Sequence, residues 1–197
     1  MTWGECKAAA MRKMFASDGG KIDYAESGNV DYIAAMPAAA NEAMERIVSE
    51  AGRPFRQSVD AQAAEYIDMN DAAPDFRSFG GEPEVYLVLG RGLAALEAGT
   101  MGQSVLHLPG NVSGTVRIFY NAAPNRITEK TKNSFRLPLA EDCNVLIPLY
   151  IAGELYKDDD MGMATSYMNE FESRLSGLGK NESGVNSGSF TSVTGWW

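Results

Sequence analysis

Histidine is almost absent from this chain of 197 residues, which has only His107. The sequence also has no G-x-S-x-G, H-E-x-x-H, G-x-x-x-x-G-K-[ST] or G-x-G-x-x-G motif. A lone histidine between Leu106 and Leu108 in an alternating segment is more typical of a structural strand residue than of a general base. The sequence gives no basis for histidine-based catalysis or a phosphate-binding loop, and we expect no enzyme.

Cysteine is scarce as well. Cys6 and Cys143 lie far apart and form neither a C-x-x-C pair nor a Cys/His metal-binding spacing. We expect both to be small buried apolar residues without a disulfide. The chain begins without an apolar signal core, and its length allows a core that needs no covalent cross-link. These features favour synthesis and folding in a reducing cytoplasm.

Long apolar runs and an excess of positive charge are also missing. The longest apolar run, 145–153, contains Pro148 and is far shorter than the roughly 20 residues needed to cross a bilayer. Lys and Arg number 17 against 26 Asp and Glu, which gives a net charge of −9. We therefore expect a soluble protein, with no membrane partner, that does not wrap nucleic acid but could line a passage through which DNA slides.

Two helical patterns precede residue 54. Thr2 and Glu5 have the spacing of a capping box, which predicts a helix from Thr2 to about Phe15. Apolar residues then recur at helical spacing from Val30 and predict a long second helix, with Asn29 as its N-cap. Pro37 predicts either a kink in this helix or its actual start.

Two further helical patterns follow residue 134. The first runs from about Pro138 to Tyr156 and is apolar on most sides, so we expect it to lie at the centre of a bundle or against a neighbouring subunit. The second, with an acidic outer face, has apolar residues at helical spacing from Ala164 to Leu178, and Asp160 or a neighbouring aspartate is its expected N-cap.

Between the two pairs of helices the pattern changes to short β segments separated by turn residues. In 115–120, Val116, Ile118 and Tyr120 alternate with the other residues, which predicts a strand with one buried face. Turn residues at 109–111 predict a hairpin between this strand and the one that contains His107. About five to seven strands in a small sandwich or open barrel are expected.

Together these patterns predict an α+β protein. The expected architecture is a four-helix bundle formed by 1–53 and 134–178, an inserted small β-sandwich or barrel-like module at 54–133, and an extended, flexible C-terminal arm at 179–197. The arm has the Gly/Ser/Asn composition of a linker but ends in large aromatic side chains, at Phe190, Trp196 and Trp197. Because these rings have no local core to enter, we expect them to dock on a partner or a neighbouring subunit.

Three adjacent aspartates, Asp158, Asp159 and Asp160, form the most concentrated charge in the chain. Carboxylates of this kind bind Mg²⁺ or Ca²⁺, and a metal-dependent nuclease is one function they would suit. No second carboxylate cluster accompanies them, so an interhelical turn with an aspartate N-cap is the favoured interpretation. We expect no metal and no cofactor.

The aromatic residues of the β module allow a different function. Tyr86, Phe119 and Tyr120 could stack on sugars, although aromatic residues in strands more often belong to a core or an interface. A carbohydrate- or receptor-binding module displayed by a helical scaffold is therefore the alternative hypothesis.

A series of segments in the second helix, the end of the β module and the last two helices has a recognisable order. The segments are 36–37, 39–42, 118–121, 124, 127–128, 137–139, 146–152, 155–160, 164–165, 167 and 169–172. In this order they resemble the adaptor family of phage head-to-tail connectors, in particular those of tailed phages of gut Firmicutes. These are helix-packing patterns and not catalytic signatures.

The resemblance implies a structural virion protein of the phage neck. Such an adaptor forms a homo-oligomeric ring matched to the dodecameric portal protein, links it to a stopper or tail-completion protein, and surrounds packaged DNA without sequence-specific binding. The protein would be made in the host cytoplasm and reside in the virion. The residues expected at partner interfaces are Tyr150, Tyr156, Asp158, Asp159, Asp160, Phe190, Trp196 and Trp197.

Overall fold

The computed structural model describes residues 1–15, 27–51 and 54–178. The predicted arm, with Phe190, Trp196 and Trp197, lies outside these residues. The helices are α1 (Trp3–Met14), α2 (Ser27–Glu50), α3 (Met69–Ala72), α4 (Glu141–Asn144), α5 (Ile147–Leu155) and α6 (Met161–Leu178). The strands are β1 (Phe55–Gln62), β2 (Tyr66–Asp68), β3 (Phe76–Ser78), β4 (Glu84–Leu89), β5 (Gly92–Leu96), β6 (Gly99–Met101), β7 (Val105–His107) and β8 (Thr115–Ala122).

The capping box predicted for the first helix is confirmed. The Thr2 hydroxyl accepts a hydrogen bond from the backbone N–H of Glu5 at 3.3 Å, and the Glu5 carboxylate accepts one from the N–H of Thr2 at 2.7 Å. These bonds to the charged form lower the pKa of Glu5. The start of α1 is therefore fixed by its own side chains.

The second helix is continuous and contains Pro37 in its interior. The interpretation that the helix begins only at Pro37 is wrong, and so is the prediction of Asn29 as N-cap, because α2 already begins at Ser27. Its 24 residues correspond to a length of roughly 36 Å at 1.5 Å per residue. It is the longest helix among the described residues.

The third predicted helix is divided into two. Helix α4 ends at Asn144 and α5 begins at Ile147, with Pro148 as its second residue. Proline has no N–H to donate, and the first turn of a helix is where that N–H has no partner in any case, so Pro148 favours the start of a new helix at this point. The helix predicted from Pro138 to Tyr156 is therefore wrong in its extent.

Helix α5 lies at the centre of the helical part, which we call the helical body (α1, α2, α4, α5 and α6). All residues from Ile147 to Gly153 are buried, against α1, α2 and α6. Gly153 permits the close approach of α6, because a Cβ there would lie 2.7 Å from Cγ of Met168 and 3.3 Å from the carbonyl oxygen of Ala164. This helix was expected either at the centre of a bundle or against a neighbouring subunit. In the structure it lies at the centre of the helical body of one chain.

The strands form two antiparallel sheets, which together with α3 we call the β module. The order in the larger sheet is β1-β8-β4-β5, with β3 pairing on β8 as well, and the order in the smaller sheet is β2-β7-β6. The hairpin predicted between the strand with His107 and β8 is wrong, because β7 and β8 belong to different sheets. The segment that contains Pro109 thus leads the chain from one sheet to the other.

The burial of β8 confirms its predicted alternation. Val116, Ile118 and Tyr120 are buried, with at most 5% of their surface exposed, while the residues between them are half-buried. Together with Ile67 and Leu106 of the smaller sheet they form a core separate from that of the helical body.

The predicted four-helix bundle with a sandwich or barrel-like insert is wrong. The chain is a mixed α+β protein whose strands form two antiparallel sheets. Pro148 breaks one predicted helix into α4 and α5, and the short helix α3, which begins at Met69, interrupts the β segment. Strands near one another in sequence are assigned to different sheets, a non-local pairing that no local pattern specifies.

Polar contacts along α2 hold both the β module and the segment that follows it. The Asn41 side chain of α2 donates to the carbonyl of Ile127 and accepts from its N–H, both at 2.8 Å. Arg77 of β3 forms an ion pair with Glu45, one turn further along α2. Ile127, which falls within the predicted insert 54–133, is packed in the helical core.

Candidate functional site

One end of the helical body is closed by aromatic rings from three segments. Phe15 contacts Tyr32 of α2 edge-on, with ring centroids 5.4 Å apart, and Tyr156 at 6.5 Å. Tyr32 lies near the start of α2, whereas the β module follows the end of that helix. We call this end of the helical body the distal end, because the β module contacts α2 near its other end, at Glu45.

Tyr156, one of the predicted interface residues, is half-buried in this aromatic group. Nearby, Tyr167 of α6 donates a hydrogen bond from its hydroxyl to the carbonyl of Lys13, and the Lys13 ammonium lies 5.7 Å from the centre of the Tyr167 ring. Burial raises the pKa of Tyr167. The end of α1 and the start of α6 are thus held together, and only part of each ring remains accessible.

The three aspartates follow directly in the turn between α5 and α6. Asp160 accepts a hydrogen bond at its side chain from the N–H of Met163 at 3.0 Å, which makes it the N-cap of α6. Its own N–H donates to the Tyr156 carbonyl at 2.9 Å. Asp158 and Asp159 are exposed. The predicted aspartate cap is confirmed for Asp160, and its neighbours project negative charge into solvent.

No group of three or more His, Cys, Asp or Glu side chains among the described residues is placed to hold a metal ion. Lys157, which precedes the aspartates, forms an ion pair with Glu154.

Two methionines at the start of α6 project beside these aspartates. Met161 is 64% exposed and Met163 is 41% exposed. We call Asp158, Asp159, Met161 and Met163 the distal surface. The helical spacing of apolar residues in α6 begins at Ala164 and so did not indicate either methionine, but a helical projection places Met163 outside that apolar face.

Tyr150, another predicted interface residue, lies inside the subunit. It is 2% exposed, and its ring contacts Phe171 of α6 with centroids 5.1 Å apart. The Arg46 guanidinium lies 5.7 Å from the Tyr150 ring and 5.5 Å from the Phe171 ring. Burial raises the pKa of Tyr150 well above its usual range.

The outer face of α6 was expected to be acidic, but its carboxylates are paired. Glu170 forms an ion pair with Arg174 at 2.6 Å, and Glu172 forms one with Arg46 at 2.5 Å. Because exposed ion pairs of this kind largely cancel the local field, the aspartates of the distal surface are the stronger source of negative potential.

The aromatic residues named for sugar stacking are divided between the two faces of the larger sheet. Tyr86 and Phe119 lie half-buried on the outer face, edge-on with centroids 5.7 Å apart. Beside them Arg117 donates two hydrogen bonds to Asp60, at 2.7 and 2.8 Å. Tyr120 faces the core and donates to Asp75 at 2.8 Å, and burial with this bond raises its pKa to about 12.

Comparison with known proteins adds no relationship: no protein-family model and no curated protein sequence matches the chain. Among the described residues, no helix has the length and apolar character needed to span a membrane.

Proposed function

We propose that this chain is a structural protein of a tailed-phage virion, an adaptor in the head-to-tail connector. In this role it forms a ring under the portal protein and joins it to a stopper or tail-completion protein, around a channel through which packaged DNA passes. The chain acts by geometry and sealing, without turnover. The proposal places it in the virion neck after synthesis in the host cytoplasm.

The observation that carries the proposal is that the subunit has two differently built ends. The β module contacts α2 at Glu45, near its end, while the distal end contacts it at Tyr32, near its start, and these 13 residues of helix correspond to roughly 20 Å. A subunit in one layer of a stacked assembly has to contact a different neighbour at each end. The two ends of this chain differ in secondary structure, charge and exposed residues, as such a position requires.

The distal surface has the chemistry of a contact site. Its two exposed methionines are flexible apolar side chains that adapt to a partner, and the adjacent aspartates favour a partner with basic groups. We assign this surface to the contact with a neighbouring connector protein. Two of the segments that resemble the adaptor family, 146–152 and 169–172, belong to the region of α5 and α6, and these two helices pack together. Their packing supports the same function.

The charge of the chain suits a DNA passage. A net charge of −9, with Asp158 and Asp159 exposed, repels phosphates and prevents the strong counterion-release binding that clustered lysines and arginines produce. DNA would therefore move past the ring without being held.

The test of the proposal is a change at the distal surface in particles that contain this chain. Met161→Asp together with Met163→Asp removes the apolar contact and adds charge to an exposed site, so the fold should be unchanged by circular dichroism. We expect this variant to be lost from assembled particles, whereas Ser166→Asp, an exposed change on the same helix, should be incorporated normally. Normal incorporation of both variants would contradict the role of the distal surface.

The alternative function, a carbohydrate- or receptor-binding module, is favoured by the outer face of the larger sheet. Tyr86 and Phe119 offer apolar ring surface there, and the Arg117–Asp60 pair offers hydrogen-bonding groups beside them. A glycan array probed with the full chain separates the two functions. Binding that Phe119→Ala abolishes would support the alternative, and the absence of binding would support the adaptor.

A further inference from the structure

Strand β5 is the outermost strand of the larger sheet, and its outer edge is open in the described part of the chain. It pairs only with β4, in a hairpin whose loop is closed by the Leu89–Gly92 pair. Since hydrogen-bonded and non-hydrogen-bonded pairs alternate from such a loop, Leu93 and Ala95 direct their N–H and C=O groups away from β4. Among the described residues no other backbone group bonds to them.

The exposed edge of β5 has none of the features that normally protect an edge strand. Gly92–Leu96 contains no charged residue and no proline, whereas β1, at the opposite edge of the sheet, carries Arg56 and Asp60. Two large apolar side chains are exposed at the tip of this hairpin, with Leu89 at 51% and Leu93 at 45%. Such an edge favours the addition of another strand.

The end of the chain has the composition of that strand. From Ser183 to Trp197 there is no charged residue and no proline, and 189–197 is rich in the β-branched and aromatic residues that favour strands. In an extended strand the neighbouring residues Trp196 and Trp197 would present one ring to each face of a sheet.

The direction of α6 brings the chain that follows it toward the β module. Glu172 of α6 pairs with Arg46 near the end of α2, and Tyr167 is held near the distal end. Helix α6 therefore runs in the same direction as α2 and ends on the side of the β module. The 14 residues between Leu178 and Val193 span up to about 45 Å when extended.

We propose that Val193–Trp197 adds to β5 of the same chain as an antiparallel strand. In the register we assign, Trp197 lies opposite Gly92, Trp196 opposite Leu93 and Val193 opposite Leu96. Thr194 and Trp196 then bond to the open backbone groups of Ala95 and Leu93.

This register follows from the two faces of the sheet. Leu89 shares the inner face with its pair partner Gly92, and Leu93 points to the outer face. Because neighbouring residues of a strand point to opposite faces, Trp197 covers Leu89 and Trp196 covers Leu93. A tether of this length holds the strand near the edge at an effective concentration on the order of millimolar, which favours the same chain over a second copy.

This inference does not depend on the adaptor function. It gives Trp196 and Trp197 a place within their own subunit, in contrast to the expectation from sequence that they dock on a partner.

Disulfide trapping in the full chain tests the proposal. In this register Ala94 and Gly195 are a non-hydrogen-bonded pair, so Ala94→Cys with Gly195→Cys should form an intrachain disulfide under mild oxidation. The matched control, Ala94→Cys with Thr194→Cys, places the two thiols on opposite faces and should lose the cross-link. The native cysteines do not interfere because both are buried, and burial raises the pKa of Cys6 to about 12.

A third substitution separates strand addition from chance contact. Ala95→Pro removes an N–H that points away from β4, so circular dichroism should be unchanged while the 94–195 cross-link is lost; Ala95→Val keeps the N–H and should keep the cross-link. Equal cross-linking of both cysteine pairs, no cross-linking of either, or a disulfide found only between two chains would each overturn the proposal.

Discussion

The helical body and the β module differ in how completely each buries its apolar residues. Among the described residues, the core of the body contains 24 buried apolar side chains and surrounds α5 on all sides, while the core of the module contains 11. The smaller β module nevertheless exposes large apolar side chains on four of its strands or loops, at Tyr66, Leu89, Leu93 and Met101. The body exposes such residues mainly near helix ends.

Because the two regions bury their apolar residues to different extents, they offer different surfaces for contact with other molecules. The body is complete within one chain and presents the distal surface at one end only. The module has an open sheet edge and an aromatic outer face, which are the features that further strands or ligands use. Among the described residues, the helical body therefore buries its apolar side chains more completely than the β module does.

The largest expected effect comes from removing a large side chain from either core. Phe171→Ala in the body should reduce the free energy of unfolding by about 3–5 kcal/mol, and Ile118→Ala in the module by about 2–5 kcal/mol. Hydrogen exchange of each variant would show whether the cores are separate: Phe171→Ala should weaken protection mainly in α2, α5 and α6, and Ile118→Ala mainly in β1, β4 and β8.

Met163→Ala, an exposed change, is the control for both core variants and should alter stability by less than about 0.5 kcal/mol. Equal loss of protection in both regions from either core variant would mean that the body and the module form one cooperative unit.

The next largest effect is expected where α2 holds the segment that follows the β module. Asn41→Ala removes both hydrogen bonds to the buried backbone of Ile127 and should cost about 2 kcal/mol, because a donor and an acceptor lose their partner. Amide exchange at Ile127 should accelerate accordingly. Asn41→Asp keeps the acceptor for the Ile127 N–H but turns a second oxygen toward the Ile127 carbonyl, so it should also lose stability. An aspartate variant as stable as the original chain would show that the bond donated by Asn41 does not contribute.

A smaller effect is expected at the distal end. Asp160→Ala removes the N-cap of α6 and should reduce stability by about 1 kcal/mol in thermal unfolding. Asp160→Asn keeps a side-chain oxygen that can cap the helix, so this variant should retain most of the stability that the cap contributes. Asp159→Ala, one residue earlier, should leave stability unchanged, and a loss equal to that of Asp160→Ala would disprove the assignment of the cap.

The smallest effect is a pH dependence on the outer face of the module. The two hydrogen bonds from Arg117 hold the pKa of Asp60 below its ordinary value of 3.8. The pair therefore stabilises the fold above that pH, and its contribution is lost as the pH falls through the pKa of the folded state. Carbon-13 NMR of the Asp60 carboxyl should report the lowered midpoint, and Arg117→Gln should raise it; an unchanged midpoint would contradict the pairing.

Local patterns predicted the elements that depend on neighbouring residues. The capping box of Thr2 and Glu5, the alternation in β8 and the cap at Asp160 each involve side chains and backbone within a few positions, and each is confirmed. Pairing between distant strands has no such local signal. The turn residues at 109–111 predicted a hairpin, but the strands on either side pair with different partners.

The candidate site was predictable only in part, for the same reason. The aspartates are visible in the sequence as a run of charge. Asp158 and Asp159 are exposed, as expected because burying an unpaired carboxylate is unfavourable. The clamp between Asn41 and Ile127 joins residues 86 positions apart, and no pattern in the sequence marks it. Tyr150 was predicted at an interface because α5 is too apolar for one face, and the packing of three helices around it accounts for that composition.

The adaptor function is tested most directly by quantitative mass analysis of purified phage particles from a culture that produces this chain. The proposal predicts that the chain is present in the particles, at a copy number that matches the dodecameric portal protein measured in the same sample. Absence of the chain from the particles would contradict the adaptor function, and binding by the outer face of the β module would become the first hypothesis.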